Sequence, residues 1–228
     1  MNKIKKKIIA IGGAGFTHQA GKSLDRFILN QSNKINLKIG FLATASKDDQ
    51  KKINLFYRRF KSNFLKVSHF NLTVNIKYFS KWILNQDIIY IGGGNTFYMM
   101  EIWKKNNLIK IFRQVYNKGI ILSGVSAGAV CWFDWILSDS EGLGLKPLKG
   151  INLISGSCTP HASDKKRINH FKLSIKSRKL PPGIAIDDGV AVLFIDGEPA
   201  EVYSSRENHD AYFIDINKKI SLKEYIKK

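Results

Sequence analysis

The chain has 228 residues, of which 44% are hydrophobic and 11% aromatic, so it is long enough to bury a core and has the composition of a globular protein. No apolar run reaches the roughly 18 residues of a membrane-spanning helix, and we expect no membrane partner. The basic start at Met1–Lys7 precedes only four apolar residues before Gly12, which is too few for a secretory signal. These features favour a cytoplasmic protein with one domain over residues 1–228.

The formal net charge of +19 raises the question of a nucleic-acid partner. However, 30 of the 37 basic residues are lysines, which share A/T-rich codons with the abundant isoleucines, asparagines and phenylalanines. They are spread along the chain, with no arginine-rich stripe and no interleaved aromatic residues on which bases could stack. We therefore interpret the charge as a solvated surface and expect no nucleic-acid partner.

The spacing of cysteines and histidines gives no indication of a metal or redox site. Cys131 and Cys158 form no metal-binding or redox motif, so we expect two unreactive thiols in a reducing compartment. No paired-histidine helix motif occurs, and His161, Asp164 and His170 do not have the spacing of a zinc site. The sequence therefore predicts no metal site.

Short apolar runs alternate with longer amphipathic segments along the first 136 residues. Each run ends in glycine or small polar residues. Because the runs are apolar throughout, the strands should be buried on both faces of a parallel sheet. The predicted strands are Lys7–Ile11, Leu37–Ala43, Ile88–Ile91 and Ile120–Leu122, and the predicted helices cover about residues 22–31, 50–64, 96–117 and 127–136.

The C-terminal part adds antiparallel elements. After Ser163 the sequence predicts one more helix, a strand at Gly183–Ile186 and a hairpin of Val190–Ile195 with Glu201–Tyr203, turning at Asp196-Gly197. The expected fold class is α/β, a doubly wound and mostly parallel sheet with a C-terminal antiparallel hairpin. Such sheets bind ligands at the carboxyl ends of their strands, where the glycine clusters of this chain fall.

The pentad Gly124-Val125-Ser126-Ala127-Gly128 follows the strand Ile120–Leu122 and opens a predicted helix. A serine on such a sharp turn has a strained backbone and an exposed hydroxyl, and small neighbours two residues away avoid steric clashes. The N–H groups at the start of the helix would lie near a developing oxyanion. The same residues could form a turn that binds phosphate or only packs, but their context favours Ser126 as a nucleophile.

A nucleophilic serine needs a general base, and His161 is the strongest candidate of the five histidines. It follows the apolar run Ile151–Ile154 and the segment Ser157–Pro160, which places it near the carboxyl end of a strand. His18 follows the first glycine-rich turn, and the surroundings of the other three give no such indication. Position therefore makes His161 the candidate base.

The turn Gly92–Phe97 follows the strand Ile88–Ile91 and begins a predicted helix, for which Asn95 is a suitable N-cap. Its bare backbone could bring N–H donors within about 3 Å of an oxyanion. It could equally be a structural loop, and the residues alone favour neither interpretation.

The turn Gly12–Gly15 is a weak dinucleotide-binding fingerprint. His18 stands where that fingerprint requires its third glycine. The second strand ends in Ala43–Ser46, without an acid to bind a ribose hydroxyl. The sequence therefore disfavours a dinucleotide-binding protein.

Several motifs together resemble the peptidase E and cyanophycinase family of serine peptidases, in particular its peptidase-E-like bacterial branch. They are Ile91–Phe97, Gly124–Ala129, Pro160-His161 and Ile186–Ala191, and their order and spacing match over about residues 7–195. The resemblance implies a fold related to class I glutamine amidotransferases, no cofactor, and acyl-enzyme chemistry on a small peptide substrate. By position it implies Ser126 as the nucleophile and His161 as the base. The oxyanion hole would be formed by Gly93, Gly94 and Ala127.

The acid that orients the base has two candidate positions. Asp188 lies in the turn before a predicted strand, whereas Glu141, with Asp139 nearby, lies between the nucleophile and the histidine in the chain. A buried carboxylate at a strand end can hold the imidazole more rigidly than one in the glycine-rich stretch Ser140–Gly144, so we favour Asp188. It is one methylene shorter than the glutamate usual in the family, so the backbone must approach His161 more closely.

The resemblance also bears on specificity. In peptidase E an arginine downstream of the catalytic histidine selects an N-terminal aspartate; here, aligned on Arg167-Ile168, its place falls at Asp164. An acid there would repel an aspartyl substrate. We therefore expect a dipeptidase-like enzyme without strict N-terminal aspartate specificity. The alternative is a non-catalytic protein that binds a small ligand on the same scaffold, and the sequence leaves the oligomeric state open.

Overall fold

Thirteen strands and eight α-helices make up the part of the chain that the computed structural model describes, residues 4–227. Met1–Lys3, part of the basic start, and Lys228 lie outside the described residues. No helix within residues 4–227 combines the length and the apolar character needed to cross a membrane. The strands are β1 (Lys7–Ile11), β2 (Leu37–Leu42), β3 (Leu65–His69), β4 (Ile88–Ile91), β5 (Ile121–Val125), β6 (Phe133–Ser138), β7 (Lys146–Lys149), β8 (Ile154–Thr159), β9 (Gly183–Ile186), β10 (Val190–Ile195), β11 (Glu198–Ser204), β12 (Ala211–Ile214) and β13 (Lys219–Ser221). The helices are α1 (Lys22–Leu29), α2 (Gln50–Phe60), α3 (Phe79–Ile83), α4 (Thr96–Lys105), α5 (Leu108–Asn117), α6 (Ala127–Val130), α7 (Lys165–Lys176) and α8 (Leu222–Ile226).

The first sheet contains the predicted parallel strands. Its order is β11-β10-β1-β5-β4-β2-β3, in which β1 to β5 are parallel and β10 pairs antiparallel with both β1 and β11. Ile8 and Ala10 of β1 pack into a core on one face of the sheet, and Ile9 and Ile11 pack into a second core on the other face. This burial explains why the run is apolar throughout, because each fully buried isoleucine contributes about 1.5–3 kcal/mol.

The predicted C-terminal hairpin is present, and the α/β fold class is confirmed. β10 pairs antiparallel with β11, and the connecting residues Asp196 and Gly197 have positive φ values of 53° and 93°. A two-residue Asp-Gly hairpin turn requires such values. Because β10 also pairs with β1, the hairpin extends the first sheet.

A second sheet departs from the single sheet that was expected. Its order is β13-β12-β9-β8-β6-β7. The helix predicted over residues 127–136 ends at Val130, and the chain then continues as β6. Trp132, Phe133 and Ile136 are all fully buried in the core shared with the first sheet. A mostly buried segment rich in aromatic residues suits a strand, and periodicity alone does not separate this case from a buried helix.

Two smaller differences concern an edge strand and a long helix. β3 was not predicted, because Lys66 and Ser68 interrupt its apolar pattern. The helix predicted over residues 96–117 is two helices, α4 and α5, separated at Asn106 and Asn107. Asn107 has a φ of 54°, a left-handed conformation that asparagine tolerates better than most residues.

The carboxyl ends of strands from both sheets meet at one place. Gly13, two residues after β1, forms a bridge to Asp188, two residues after β9. The N–H of Gly189 donates to the carbonyl oxygen of Gly13 at 3.0 Å, and the N–H of His161 donates to that of Gly12 at 3.3 Å. These contacts place the residues that follow β8 and β9 against the first sheet.

Candidate active site

Ser126 lies on the sharp turn between β5 and α6. Its backbone has φ 54° and ψ −112°, and its N–H donates to the carbonyl oxygen of Ile11 at 2.9 Å. A Cβ on Gly124 or on Gly128 would overlap with the carbonyl oxygen of Ile91. The predicted need for small residues on both sides is therefore confirmed, and the turn holds a backbone conformation that costs about 1–3 kcal/mol.

His161 follows β8, which ends at Thr159, so its predicted place at the carboxyl end of a strand is confirmed. Its Nε2 lies 2.9 Å from the Oγ of Ser126, and 39% of its side chain is exposed. A neutral imidazole that carries its proton on Nδ1 accepts the serine O–H at Nε2. This is the geometry that a general base requires.

Asp188 lies on the far side of the imidazole. Its Oδ1 accepts a hydrogen bond from Nδ1 of His161 at 2.6 Å, and its N–H donates to Oγ of Ser163 at 3.3 Å. The hydrogen bond from His161 lowers the pKa of the Asp188 carboxyl below its usual value, and the charges of Arg206 and His209 lower it further. Partial burial raises this pKa, but its effect is smaller. An ionised Asp188 fixes the imidazole proton on Nδ1.

The alternative acid, Glu141, lies in the loop between β6 and β7. It is exposed, and it has no hydrogen-bond partner within residues 4–227. Asp139, nearby in the same loop, pairs with Arg167, whose Nη2 lies 2.7 Å from Oδ2 of Asp139. The carboxylate that contacts the imidazole therefore comes from Asp188 and not from Glu141.

The turn after β4 brings the remaining predicted site residues to the serine. A Cβ on Gly93 would lie 3.3 Å from Cβ of Ser126, so the backbone of this turn approaches the serine closely. A Cβ on Gly94 would overlap with the carbonyl oxygen of Ala45. The N–H groups of Gly93, Gly94 and Ala127 have no acceptor among the described residues, which leaves them free to bind an oxyanion.

Asn95 caps α4, as its position predicted. Its Oδ1 accepts the N–H of Tyr98 at 2.7 Å, and its Nδ2 donates to the carbonyl oxygen of Ser140 at 3.0 Å. Oγ of Ser140 accepts the N–H of Phe97 at 2.9 Å. The cap therefore ties the glycine turn to the loop between β6 and β7 and fixes the backbone at the site.

Gly13 makes room for the pair of His161 and Asp188, a role that its sequence context did not indicate. A Cβ at this position would overlap with Oδ1 of Asp188 and lie 2.7 Å from Nδ1 of His161. In the sequence alone, the glycines after β1 indicate only a weak nucleotide-binding fingerprint. Their position at a strand's carboxyl end, like that of the other glycine turns, is the signal that links them to the site.

Two cavities adjoin Ser126 and His161. Each is large enough for one or two amino-acid residues, so a peptide bond held over Ser126 would have space on both sides. The first, here named the Lys52 cavity, has a volume of about 290 Å³ and is also lined by residues 13–18, Lys52, Gly93, Gly94 and Val125. The second, the Asp139 cavity, has a volume of about 320 Å³ and is also lined by Gly94, Thr96, Val130, residues 136–139, Pro160 and Arg167.

Asp164 does not have the substrate-facing position that the sequence predicts for it. It is the N-cap of α7, and its Oδ1 accepts the N–H of Lys166 at 2.8 Å. It lies outside the set of described residues that line the two cavities, whereas Arg167, bound to Asp139, lines the second. The acid that a substrate would meet there is therefore Asp139.

Cys131 and Cys158 are free and fully buried, and burial raises the pKa of each thiol well above its usual value. A buried thiol with a raised pKa is unreactive, as expected for these two. Within residues 4–227, no group of three or more His, Cys, Asp or Glu side chains is arranged so that it could hold a metal ion.

Gly13→Ala is expected to slow the reaction of Ser126 with a fluorophosphonate at least about tenfold, because the added methyl group separates Asp188 from His161. The measurement is the labelling rate by intact mass, alongside the thermal midpoint. Ser177→Ala is the control, since Ser177 lies at the end of α7 and lines neither cavity. A folded Gly13→Ala variant labelled at the wild-type rate would contradict the steric role of Gly13.

Solved structures resemble this fold at low sequence identity. A protein from Listeria monocytogenes EGD-e assigned as peptidase E aligns with a TM-score of 0.65 and 18% identity, over 88% of this chain and 98% of that one. A peptidase from an acI-B1 actinobacterium aligns with a TM-score of 0.67 and 14% identity, over 97% of this chain and 98% of the other. These likenesses agree with the α/β fold class.

The sequence itself matches a family and a curated relative. The family model described as Peptidase family S51 matches residues 8–202. The uncharacterized peptidase YgaJ of Bacillus subtilis strain 168 is 38% identical over 210 residues, which cover 91% of each chain. The resemblance to peptidase E is thereby confirmed: the chain belongs to peptidase family S51 and is a serine-type peptidase.

Proposed function

We propose that this chain is a single catalytic domain, residues 1–228, that hydrolyses small peptides through an acyl-enzyme on Ser126. His161 is the general base, and Asp188 is the acid that orients it. The observation that carries the proposal is the continuous series of hydrogen bonds from Ser126 through His161 to Asp188, at 2.9 Å and 2.6 Å. Glu141, which makes no such bond, is not needed for the reaction.

The arrangement supports a two-step acyl transfer. As Oγ of Ser126 attacks the peptide carbonyl carbon, Nε2 of His161 takes the hydroxyl proton, and Asp188 stabilises the imidazolium that forms. The same Nε2 then gives the proton to the leaving amine, and the C–N bond breaks. In the second step Nε2 of His161 takes a proton from water as the water oxygen attacks the acyl carbon, and it returns that proton to Oγ of Ser126 when the ester C–O bond breaks.

The charge that develops on the carbonyl oxygen is stabilised by backbone N–H groups of Gly93, Gly94 and Ala127. Their lack of other acceptors among the described residues supports this role. The donors of Gly93 and Gly94 lie on the capped turn before α4, and that of Ala127 lies at the start of α6. Because these elements hold the donors in place, they need little reorganisation during the reaction, and each such donor can contribute about 100-fold or more in rate.

The enzyme acts in the cytoplasm, without a metal, a cofactor, a membrane or nucleic acid. The two buried, unreactive cysteines, Cys131 and Cys158, suit a reducing compartment. The chemistry depends on a base and on hydrogen-bond donors and needs no Lewis acid. The lysines are spread along the sequence without an arginine-rich stripe, which supports the expectation that nucleic acid is not a partner.

Peptides without an N-terminal aspartate are cleaved at least as well as those with one. Arg167 lines the Asp139 cavity, but its Nη2 is already bound to Asp139 at 2.7 Å. The Asp139 side chain is 62% exposed, so an aspartyl side chain entering the cavity would meet its charge. The carboxylate of an aspartyl substrate would have to compete with Asp139 for the guanidinium of Arg167. This competition removes the advantage that the substrate's negative charge would otherwise give.

A fluorophosphonate should add covalently to Ser126 of the wild type, because its hydroxyl is activated by His161. Intact-mass analysis should show the adduct on wild type and on Ser177→Ala, a control at the end of α7, but not on Ser126→Ala.

Release of amino acids from a dipeptide and tripeptide library should fall at least about 1,000-fold in Ser126→Ala and in His161→Ala, and the double variant should lose little more. EDTA should change neither readout; a folded but unlabelled wild type would favour the non-catalytic binding protein instead.

Asp188→Asn should lower kcat by about 1,000-fold or more, since the amide stabilises neither the imidazolium nor the required tautomer. Glu141→Gln should change kcat less than twofold, because Glu141 has no partner in the described site. Circular dichroism and thermal midpoints check that both variants fold. Wild-type turnover in Asp188→Asn would remove Asp188 from the mechanism.

Asp139→Asn should raise the ratio of kcat/KM for Asp-Leu over Ala-Leu by about fivefold or more, because it removes the competing carboxylate and releases Arg167. Asp164→Asn is the control, since an asparagine can still cap α7 and Asp164 lines neither cavity, so this variant should keep the wild-type ratio. A strong preference of the wild type for Asp-Leu, or a change of the ratio only in Asp164→Asn, would contradict the role given to Asp139.

A further inference from the structure

The turn after β1 has features that the proposed serine chemistry does not use. Ala14 has a φ of 54°, and the N–H groups of Ala14, Gly15 and Thr17 have no acceptor in the described part of the chain. All three residues line the Lys52 cavity. Consecutive free N–H groups around a left-handed residue form a concave arrangement that suits an anion.

The charge of the Lys52 cavity is also suited to an anion. Lys52 reaches the cavity from α2, and its Nζ donates to the carbonyl oxygen of Gly93 at 3.1 Å. Within residues 4–227 Lys52 forms no ion pair, and no Asp or Glu lines this cavity. The Asp139 cavity, in contrast, contains the ion pair of Asp139 with Arg167. The ammonium of Lys52 therefore has N–H donors that no carboxylate side chain among the described residues occupies, and a negatively charged ligand can accept them.

We propose that Lys52 and the turn after β1 bind the free C-terminal carboxylate of the peptide substrate, on the leaving-group side of the scissile bond. This inference rests on the proposed function and narrows its substrate class to very short peptides with a free C terminus. The recognition is a charge-assisted hydrogen bond from Nζ of Lys52, together with N–H groups of Ala14, Gly15 and Thr17.

Gly93 fixes how far this carboxylate can lie from the nucleophile. A Cβ on Gly93 would lie 3.3 Å from Cβ of Ser126, and Nζ of Lys52 lies 3.1 Å from the oxygen of Gly93. With standard bond lengths, Nζ is therefore at most about 10 Å from Cβ of Ser126. An extended residue spans roughly 3.3–3.6 Å, so one or two residues fit between the scissile bond and the carboxylate. Dipeptides and tripeptides meet this condition.

A C-terminal amide provides the test, because it has nearly the shape of the carboxylate but no charge. The experiment measures kcat/KM for Ala-Leu and Ala-Leu-amide, and for Ala-Ala-Leu and its amide. For at least one of the two pairs, the wild type should prefer the acid by tenfold or more. In Lys52→Met this ratio should fall to within about twofold of one, whereas Lys52→Arg should retain most of it because the charge remains.

Lys51→Met is the matched control, because Lys51 is the adjacent, exposed lysine on α2. It should keep the wild-type ratio and the wild-type rates. Thermal midpoints are measured for every variant, and Lys52→Gln replaces Lys52→Met if the latter does not fold. Because the wild type alone gives the ratio of acid to amide, the proposal can be contradicted without any variant.

A wild type that cleaves both amides as well as the acids would overturn the carboxylate site while leaving the peptidase activity established. An equal loss for acid and amide in Lys52→Met would also overturn it, and would show that Lys52 acts through Gly93 on the backbone turn. A folded wild type that cleaves none of the four peptides would overturn the proposed function and this inference with it.

Discussion

The contact between the turn after β1 and the turn after β9 is the constraint on which the site depends. The nucleophile follows β5 of the first sheet, whereas the histidine and its acid follow β8 and β9 of the second. A Cβ on Gly12 would overlap with the carbonyl oxygen of Asp187, and one on Gly13 would overlap with the carboxylate of Asp188. Only a pair of glycines lets the two sheets approach closely enough for Asp188, with its short side chain, to reach the imidazole.

Both reacting side chains also lie on strained backbone. Ser126 and His161 have φ values of 54° and 53°, each costing about 1–3 kcal/mol. The surrounding core prevents relaxation: the ring of Trp132, just after α6, has its centroid 6.2 Å from that of Trp103 and 5.8 Å from that of Phe112. All three rings are fully buried. A core packed with large rings resists movement, since any shift would open a cavity.

The elements that could be predicted from the sequence were those whose signal is local. The turn at Ser126 combines an apolar run with two flanking glycines, and the structure has the predicted strand and turn there. β6 could not be predicted because its mostly buried residues follow no clear two-residue alternation. The roles of Gly13 and Asp139 were missed for another reason: each depends on a partner distant in sequence, Asp188 in the first case and Arg167 in the second.

The positive φ of Ser126 also limits which nucleophiles this scaffold can carry. At φ 54° a residue branched at Cβ would be a steric outlier, whereas an unbranched one is tolerated. Serine and cysteine are unbranched, but threonine is not. Evolution from this turn toward a thiol peptidase is therefore open to a single substitution, while a threonine nucleophile would require the strand-to-helix turn itself to be rebuilt.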